Sequence, residues 1–373
     1  MKRLRPLVGI DASRAYISSR TGTENYSYQI ITALANEESR FDFNLYLKED
    51  VQYIQPGNFT NKVIPFPYLW TQGGLAMRTW IDRPDLLFIP AHVVPFLKNP
   101  FVPTVVVVHD LRTEFLPQHS DVRQMLYLNP ITEKIRVLLS SHIIAVSEST
   151  KKDMISKLGV SSAKITVVYE GVDTKRFDAD LKRSPRVGDV RAKFHLNNPY
   201  LLFVGTIQPR KNLVRLMEAF SKLPQVKSQG LDLVIAGRKG WMADEILGTP
   251  ARLGLEQNIR FIDYVSDDDL PFLYAGATSF VFPSLYEGFG LPILEALSMR
   301  IPVVTSNVSS MPEVGGAFAL YADPKNVESI AQQLSDSLTY TIPGDVEKHV
   351  SQFTWAKAGK QTVGVFDKVL HHE

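Results

Sequence analysis

The segment 284–297, SLYEGFGLPILEAL, carries glutamates and glycines at a spacing that suits a phosphorylated sugar. Gly288 and Gly290 precede a predicted helix, where glycines leave backbone N–H groups accessible to phosphate oxygens. Glu287 and Glu295 flank this stretch, and their carboxylates would accept hydrogen bonds from hydroxyl groups rather than bind phosphate. For either glutamate alone, an exposed residue beside an ordinary loop is the simpler interpretation. Together they suggest a ligand with hydroxyls at both ends and a diphosphate between them, such as a nucleotide sugar.

Arg210 and Lys211 form a basic pair in the segment 203–213, FVGTIQPRKNL, directly after another predicted strand. Pro209 stiffens this loop, and Asn212 is expected to cap the following helix. Two cations beside the positive end of a helix would attract a dianion, each close charge pair being worth on the order of 4 kcal/mol before desolvation. A basic pair is more often a solvated surface feature, so the prediction depends on its position at a strand end.

Two further places follow strands in the first half of the chain. Gly22 and Thr23 open a predicted helix, and their backbone N–H groups could bind a phosphate. An ordinary turn with a capping box at Thr21 and Glu24 explains the same residues. His109 ends the apolar run TVVVV, where it could donate a hydrogen bond to a sugar hydroxyl or a leaving oxygen. A histidine satisfied by nearby backbone is the alternative.

Two charged clusters have simpler explanations than ligand binding. The run 266–269, SDDD, resembles a carboxylate metal site, but a serine followed by acids is also favoured at a helix N-terminus. No metal site is therefore predicted. A basic run could touch anionic lipid, although solvated charge is the default in a linker. Its members are Lys182, Arg183, Arg186, Arg191 and Lys193.

Short β-branched runs alternate with helix-length amphipathic stretches, a pattern typical of parallel sheets with crossover helices. This pattern predicts an α/β fold with two doubly wound sheets. A stretch rich in charge, proline and glycine interrupts it, which predicts domains at 1–180 and 197–352 and a terminal helix within 353–373. Ligands of such sheets bind at the carboxyl ends of the strands, where the residues above are placed. Strands are predicted at 6–11, 43–48, 62–66, 86–91, 104–110, 142–147, 165–171, 200–205, 231–237, 258–263, 278–284, 301–306 and 317–322.

The composition excludes several classes of protein. The 373 residues suffice for about two domains, and 45% hydrophobic with 21% charged residues is ordinary for globular proteins. A net charge of +2 does not indicate nucleic-acid binding, and without cysteine there is no disulfide or Cys-ligated zinc. No apolar run reaches membrane-spanning length, and the first residues lack a signal-peptide core. A cytoplasmic enzyme is expected, with peripheral contact with a membrane left open.

With these residues in place, the chain resembles the GT-B glycosyltransferases, specifically the large retaining family 4, which includes many mannosyl- and glucosyltransferases of bacterial surface polysaccharides. The resemblance spans nearly the whole chain. Its strongest element is Glu287 with Glu295 in EGFGLPILEA, supported by VGTIQPRKN, AVSES, VYEGVD and FTW. It implies two Rossmann-like, doubly wound domains that face a central cleft. The N-terminal domain would bind the acceptor and carry the last helix packed back on it, and the C-terminal domain would bind the nucleotide-sugar donor.

The resemblance also implies roles for individual residues. Glu295 would hold the ribose hydroxyls of the donor and Glu287 the transferred sugar. Arg210 and Lys211 would bind the diphosphate, and His109 would contact the sugar. The other implied donor contacts are Gly22 and Thr23 at the diphosphate, Tyr264 and Val265 against the base, and Gly288, Phe289, Gly290 and Leu291 around the transferred sugar.

Two positions depart from the pattern that many family members share. Thr23 stands where many have a second glycine, and Thr206 where many have an arginine. Both substitutions lie at predicted phosphate contacts, so the geometry of phosphate binding is the feature that they put in doubt.

The expected activity is that of a retaining hexosyltransferase in surface polysaccharide synthesis. Mannose is the favoured sugar and GDP-mannose the favoured donor, with a saccharide or lipid-linked saccharide as acceptor. Arg210, Lys211 and helix amides would stabilise the leaving group, so no metal or other cofactor is expected. The leaving phosphate would help to deprotonate the acceptor, without a carboxylate nucleophile. A GT-B sugar epimerase or phosphorylase is an alternative, as is a non-catalytic nucleotide-sugar-binding protein.

Overall fold

The computed structural model describes residues 4–17, 20, 22–37, 40–51, 57–66, 68–91, 93–111 and 137–371. The chain divides into two compact units. The first consists of Met1–Gly171 with Phe353–Glu373, and the second of Val172–Gln352.

A parallel sheet of seven described strands forms the centre of the first unit. Its strands are β1 (Leu7–Asp11), β2 (Asp42–Leu47), β3 (Phe59–Val63), β4 (Leu86–Ile89), β5 (Thr104–Val108), β6 (His142–Ala145) and β7 (Ile165–Val167). The order β3-β2-β1-β4-β5-β6-β7 changes direction between β1 and β4, as in a doubly wound fold. All residues of β4, β5 and β6 are buried, which is why these strands are continuous apolar runs instead of alternating ones.

The terminal helix of the chain packs on the first helix of this unit. A Cβ added to Gly359 would lie 3.0 Å from the Cβ of Ala33, so the two helices are in close contact. Phe366 packs against Phe41 and Phe88, with ring centroids 6.0 and 5.1 Å away. The described helices of the unit are Gly22–Asn36, a π-helix at Trp70–Leu75, Ala76–Ile81, Glu148–Leu158, a 3-10 helix at Ser162–Lys164, and Trp355–His371.

The second unit contains a parallel sheet of six strands. These are β8 (Tyr200–Val204), β9 (Asp232–Ala236), β10 (Ile259–Ile262), β11 (Ser279–Phe282), β12 (Val303–Ser306) and β13 (Leu320–Ala322). The order β10-β9-β8-β11-β12-β13 makes β8 and β11 neighbours. The prediction of an α/β fold with two doubly wound parallel sheets is confirmed.

Helices connect the strands of the second unit, and none among the described residues of the chain is long and apolar enough to cross a membrane. The α-helices are Arg186–Lys193, Leu213–Ser221, Pro224–Ser228, Asp244–Leu253, Leu270–Ala275, Leu291–Ser298, Met311–Gly315, Val327–Ser337 and Val346–Val350. Short 3-10 helices lie at Ala179–Arg183, Pro209–Lys211 and Gly316–Phe318.

The stretch that the sequence suggested as a linker is structured and belongs to the second unit. It contains the helix Arg186–Lys193, in which Val190 is buried. Arg186 lies over the ring of Phe272, 4.3 Å from its centroid, so the arginine side chain covers an apolar surface. This helix was not predicted from the sequence because it has few apolar residues. Part of its packing comes instead from the charged side chain of Arg186.

Candidate functional site

Glu287 lies between Arg210 and Lys211 at the carboxyl edge of the second sheet. The 3-10 turn with both cations follows β8, the Glu287 loop follows β11, and these strands pair directly. Arg210 Nη1 lies 2.8 Å from Glu287 Oε2, and Lys211 Nζ lies 2.7 Å from Oε1. Each of the three residues is only 8% exposed. Strand order therefore brings together residues that are far apart in the sequence.

The two cations keep Glu287 ionised. Burial alone would raise the pKa of this carboxyl, but Arg210 and Lys211 outweigh burial and lower the pKa to about 2. Lys211 Nζ also lies 4.5 Å from the centroid of the Phe282 ring. Two cations and one carboxylate leave a net positive charge, which favours an anionic ligand. The sequence suggests the cations and the carboxylate as separate binding groups, whereas the structure joins them in ion pairs.

Two serines hold the backbone of the Glu287 loop. The Ser310 hydroxyl lies within hydrogen-bonding distance of two carbonyl oxygens, that of Phe289 at 2.6 Å and that of Glu287 at 2.9 Å, and its single proton is shared between them. The Glu287 N–H donates to Ser309 Oγ at 3.2 Å. The Leu285 N–H donates to the Arg210 carbonyl at 2.9 Å. Neither serine was predicted from the sequence. Both serines follow β12, which pairs with β11, and their contact with the Glu287 loop could have been predicted from that position.

Glycine at position 290 allows the chain to enter the next helix. Gly290 has φ 112°, which side-chain-bearing residues rarely adopt, and the helix Leu291–Ser298 begins directly after it. Gly288 and Phe289 precede it in the same loop. Pro292 has no N–H and the Ile293 N–H donates to the Gly290 carbonyl at 2.9 Å, so the Leu291 N–H is the group of this first helical turn that is suited to a phosphate oxygen.

Glu295, one turn into that helix, has a different environment. The Tyr274 hydroxyl donates a hydrogen bond of 2.9 Å to Glu295 Oε2. Burial raises the pKa of Glu295 to about 7, although the Tyr274 hydrogen bond and Arg176 act in the opposite direction. This carboxyl therefore changes its charge near neutral pH, and its ionised form accepts hydrogen bonds from hydroxyl groups.

Tyr264 and Val265 follow β10 at the same edge of the sheet. The guanidinium of Arg238, which follows β9, lies 4.6 Å from the centroid of the Tyr264 ring. Tyr264 is 38% exposed, so the part of its ring that Arg238 does not cover is accessible to a planar group such as a base. Val265 is buried and packs inside the unit.

In the first unit, protein groups contact both ring nitrogens of His109. Nε2 lies 3.0 Å from the Pro90 carbonyl oxygen, and Nδ1 lies 3.3 Å from Glu170 Oε1. A carbonyl only accepts, so Nε2 carries a proton in this arrangement. To contact a sugar, this nitrogen would have to exchange the carbonyl for the ligand. Glu170 was not predicted as a site residue, although it lies in the segment VYEGVD directly after β7.

Gly22 and Thr23 form the start of the helix Gly22–Asn36. No described atom lies within 4 Å of a Cβ added to Gly22, so its backbone is open on that side. The Thr23 carbonyl accepts a hydrogen bond of 2.9 Å from the Ser27 hydroxyl. Thr21, the other half of the predicted capping box, lies outside the described residues. Phosphate binding at this helix start stays a prediction.

Ion pairs hold the acidic run 266–269. Asp267 lies 2.9 Å from Arg176, and Asp269 lies 2.7 Å from Lys193. The Asp269 N–H donates to Ser266 Oγ at 3.3 Å in the turn before the helix Leu270–Ala275, whose N-cap residue, Asp269, makes no capping hydrogen bond through its side chain. The described residues contain no cluster of His, Asp and Glu suited to a metal ion.

Two family models match the two halves of the chain. The model described as Glycosyltransferase Family 4 matches residues 21–176, and Glycosyl transferases group 1 matches residues 189–345. Over 172 residues the chain is 41% identical to O-antigen chain mannosyltransferase B of Escherichia coli, an alignment that covers 45% of each protein. Over 355 residues it is 27% identical to O-antigen chain mannosyltransferase RfbU of Salmonella typhimurium, which covers 88% of this chain and 93% of that protein.

Several of the curated relatives that match this chain are much longer than the shared part. The matched part spans less than half the length of those proteins. Among solved structures, HepE of Anabaena in complex with UDP and glucose superposes with a TM-score of 0.74 at 17% identity. This match covers 97% of the present chain and 99% of HepE, and shows that the two share a fold.

Proposed function

Because the chain belongs to the group 1 and family 4 glycosyltransferases, we propose that it transfers a hexose from a nucleotide diphosphate sugar to a saccharide acceptor. Mannose is the favoured sugar and GDP-mannose the favoured donor, supported by relatives that are named O-antigen chain mannosyltransferases. The acceptor is a growing surface polysaccharide, free or linked to a lipid. A lipid-linked acceptor would bring the protein to a membrane as a peripheral partner.

The buried cluster of Glu287, Arg210 and Lys211 is the observation that carries this proposal. Its net positive charge lies beside the start of the helix Leu291–Ser298, and both features attract the diphosphate of a donor. The Glu287 carboxylate, ionised because of its two cations, has the charge needed to accept hydrogen bonds from the hydroxyls of the transferred sugar. In this proposal, the ionised carboxylate of Glu295 accepts hydrogen bonds from the hydroxyls of the ribose.

In the proposed reaction, the acceptor hydroxyl attacks the anomeric carbon from the face on which the diphosphate leaves. The bond between that carbon and the phosphate oxygen breaks as the new glycosidic bond forms, and the acceptor proton passes to the leaving phosphate. Arg210, Lys211 and the Leu291 N–H stabilise the negative charge that develops on the diphosphate. Retention of configuration follows, and no carboxylate nucleophile takes part.

The same cations make a metal unnecessary in this proposal. We expect transfer to survive excess EDTA, because fixed positive charge replaces the ion that would otherwise neutralise the leaving group. Complete loss of transfer in EDTA, restored by a divalent ion, would contradict this part.

The proposal is tested with a panel of nucleotide sugars and oligosaccharide acceptors, with products analysed by mass spectrometry and NMR. Lys211→Met should lower transfer by at least about a hundredfold, since it removes a charge from the leaving-group site. The matched control is Lys239→Met, because Lys239 is exposed and its ion-pair partner among the described residues is the exposed Asp244. Epimerised donor, phosphorolysis or tight donor binding without transfer across the panel would each overturn the proposal.

A further inference from the structure

Four side-chain hydroxyls bond to the backbone of β11 and of the Glu287 loop, which comprises residues 284–289. The pairing of β11 with β12 ends at Phe282 and Thr305. From that point, hydroxyl groups of β12 and of the loop after it continue the contact. We call the residues that carry them the hydroxyl row, and they are Thr305, Ser306, Ser309 and Ser310.

The hydroxyl row fixes the path of the chain from β11 into the Glu287 loop. The Thr305 hydroxyl donates to the Phe282 carbonyl at 2.9 Å, and the Ser306 hydroxyl donates to the Ser284 carbonyl at 2.7 Å. Three members of the row are 0% exposed, so water does not compete for these carbonyls. They are Thr305, Ser306 and Ser310. The position of the Glu287 loop therefore depends on β12 as well as on β11.

Ser309 bonds to both backbone polar groups of Glu287. Its hydroxyl accepts a hydrogen bond from the Glu287 N–H at 3.2 Å and donates one to the Glu287 carbonyl. One side chain thus forms the two bonds that the backbone of a neighbouring strand would form. Because both groups are held, rotation of the Glu287 backbone is restricted. Ser309 therefore sets the point from which the Glu287 carboxylate reaches its two cations.

The backbone conformation of Ser309 would suit glycine better than serine. Its φ is 59°, in the left-handed region, which costs free energy for residues with a side chain. The residue is half-buried, so packing of its small side chain offsets little of that cost. Glycine would avoid the cost but could not bond to Glu287. The hydroxyl is therefore what serine contributes at this position.

Bonds from the other side of the Glu287 loop do not depend on Ser309. The Leu285 N–H donates to the Arg210 carbonyl at 2.9 Å, and the Arg210 guanidinium donates to the Tyr286 carbonyl. Loss of the Ser309 hydroxyl would therefore release one side of the loop while both cations of the site stay in place. The Glu287 carboxylate would remain ionised, but its position would be less well defined.

We propose that Ser309 is a positioning residue for Glu287, through which the site distinguishes donors by a hydroxyl of the transferred sugar. The inference rests on the proposed function, in which the Glu287 carboxylate accepts hydrogen bonds from that sugar. Such bonds weaken steeply with distance and angle, so a displaced carboxylate loses them first. A nucleoside diphosphate without a sugar binds through the cations and the helix start, and its binding should depend little on Ser309.

The test compares Ser309→Ala with Ser309→Gly, which lack the same hydroxyl but differ in backbone cost. Glycine relieves the left-handed conformation, so the melting temperature of Ser309→Gly should exceed that of Ser309→Ala by at least about 2 °C. Both variants should lower kcat for transfer from GDP-mannose by at least about tenfold, because a small misplacement of a positioned group is costly. The dissociation constant of GDP, measured by calorimetry, should stay within about twofold of the wild-type value.

Deoxy analogues of GDP-mannose, each lacking one sugar hydroxyl, provide a readout that a loss of folded protein would not move. Removal of the hydroxyl that Glu287 bonds should lower kcat/KM of the wild type by at least about tenfold. In both Ser309 variants the same removal should cost less than about threefold, since the bond is already impaired. A smaller folded fraction would lower the rates with all donors equally.

Hydrogen exchange gives a measurement that needs no catalysis. Exchange of the Glu287 amide, followed by mass spectrometry of the peptide that contains it, should be at least about tenfold faster in both Ser309 variants. The control is His195→Gly, because His195 is an exposed residue of the same unit with φ 55°. It should share the relief of backbone cost, while transfer, donor discrimination and Glu287 exchange stay as in wild type.

Transfer that follows the melting temperature, with Ser309→Gly active and Ser309→Ala impaired, would overturn the inference. So would a deoxy effect of equal size in wild type and variants, or unchanged exchange of the Glu287 amide. Faster exchange without any transfer by the wild type would refute the proposed function and leave Ser309 as the residue that positions the Glu287 backbone.

Discussion

The variant Glu287→Gln tests whether the buried carboxylate holds the two cations of the candidate site in place. The lowering of the Glu287 pKa from 4.5 to about 2 corresponds to roughly 3 kcal/mol in favour of the ionised carboxylate. Removing one partner of a buried ion pair usually costs about 3–5 kcal/mol, because it leaves a buried charge uncompensated. Both cations are buried, so we expect the free energy of unfolding to fall by about 3 kcal/mol.

The pH dependence should change in the same variant. The folded-state pKa of Glu287 lies below its unfolded value, so its contribution is complete above about pH 4.5 and is lost as the pH falls toward 2. Wild type should lose this contribution on acidification, and Glu287→Gln should lack it. The variant should also bind the nucleoside diphosphate product at least as tightly as wild type, since the positive charge of the site rises, while transfer of the sugar is lost.

Urea denaturation at pH 7 and pH 3.5, together with thermal melting, measures these effects. At about 2–4 °C per kcal/mol, the melting temperature should fall by roughly 6–12 °C. Glu256→Gln is the matched control, because Glu256 is an exposed glutamate of the same unit. A loss below about 1 kcal/mol at pH 7, or an acid response equal to that of wild type, would refute the role assigned to Glu287.

Two other predictions concern the second unit. Gly237→Ala should destabilise it by more than about 2 kcal/mol, because Gly237 has φ 149° and an added Cβ would lie 2.1 Å from the Gly205 carbonyl oxygen. Gly248→Ala, in a helix with no described atom near the added Cβ, should stabilise it slightly, and denaturant titration compares the two. Glu295 has a folded-state pKa of about 7, above the ordinary 4.5, so its ionisation makes the unfolding free energy fall as the pH rises between these values. Glu295→Gln should remove that slope, and also any rise in donor affinity between pH 6 and about 8 in calorimetric titrations.

The strands could be predicted because buried parallel strands have a strong local signal. Runs such as TVVVV in β5 are continuous and apolar, and every predicted strand overlaps an observed one. The least accurate was β3, predicted at 62–66 and observed at Phe59–Val63. It is an edge strand with exposed residues, and it begins with the residues Phe, Thr and Asn. The pattern of apolar residues therefore gives little indication that this segment hydrogen-bonds to β2.

The features that could not be predicted from the sequence depend on tertiary contacts. Asn212 was expected to cap its helix, but it has φ 61° and makes no capping hydrogen bond. Its side-chain amide donates instead to the carbonyls of Pro283 and Pro324, at 3.0 and 2.7 Å. These partners come from loops after other strands. Glu170 beside His109 and Ser309 beside Glu287 also come from loops after other strands, so the order of the strands in the sheet brings each pair together.

The ion pairs of Glu287 with Arg210 and Lys211 affect how the site would bind a donor. Two unpaired cations would be costly to bury, and Glu287 compensates them while no ligand is bound. A diphosphate offers the cations an alternative partner, and sugar hydroxyls offer the carboxylate alternative hydrogen-bond donors. Binding of a complete nucleotide sugar would therefore exchange interactions within the cluster for interactions with both parts of the donor. A nucleoside diphosphate without its sugar would satisfy only the cations, so donor and product should differ in how strongly each depends on Glu287.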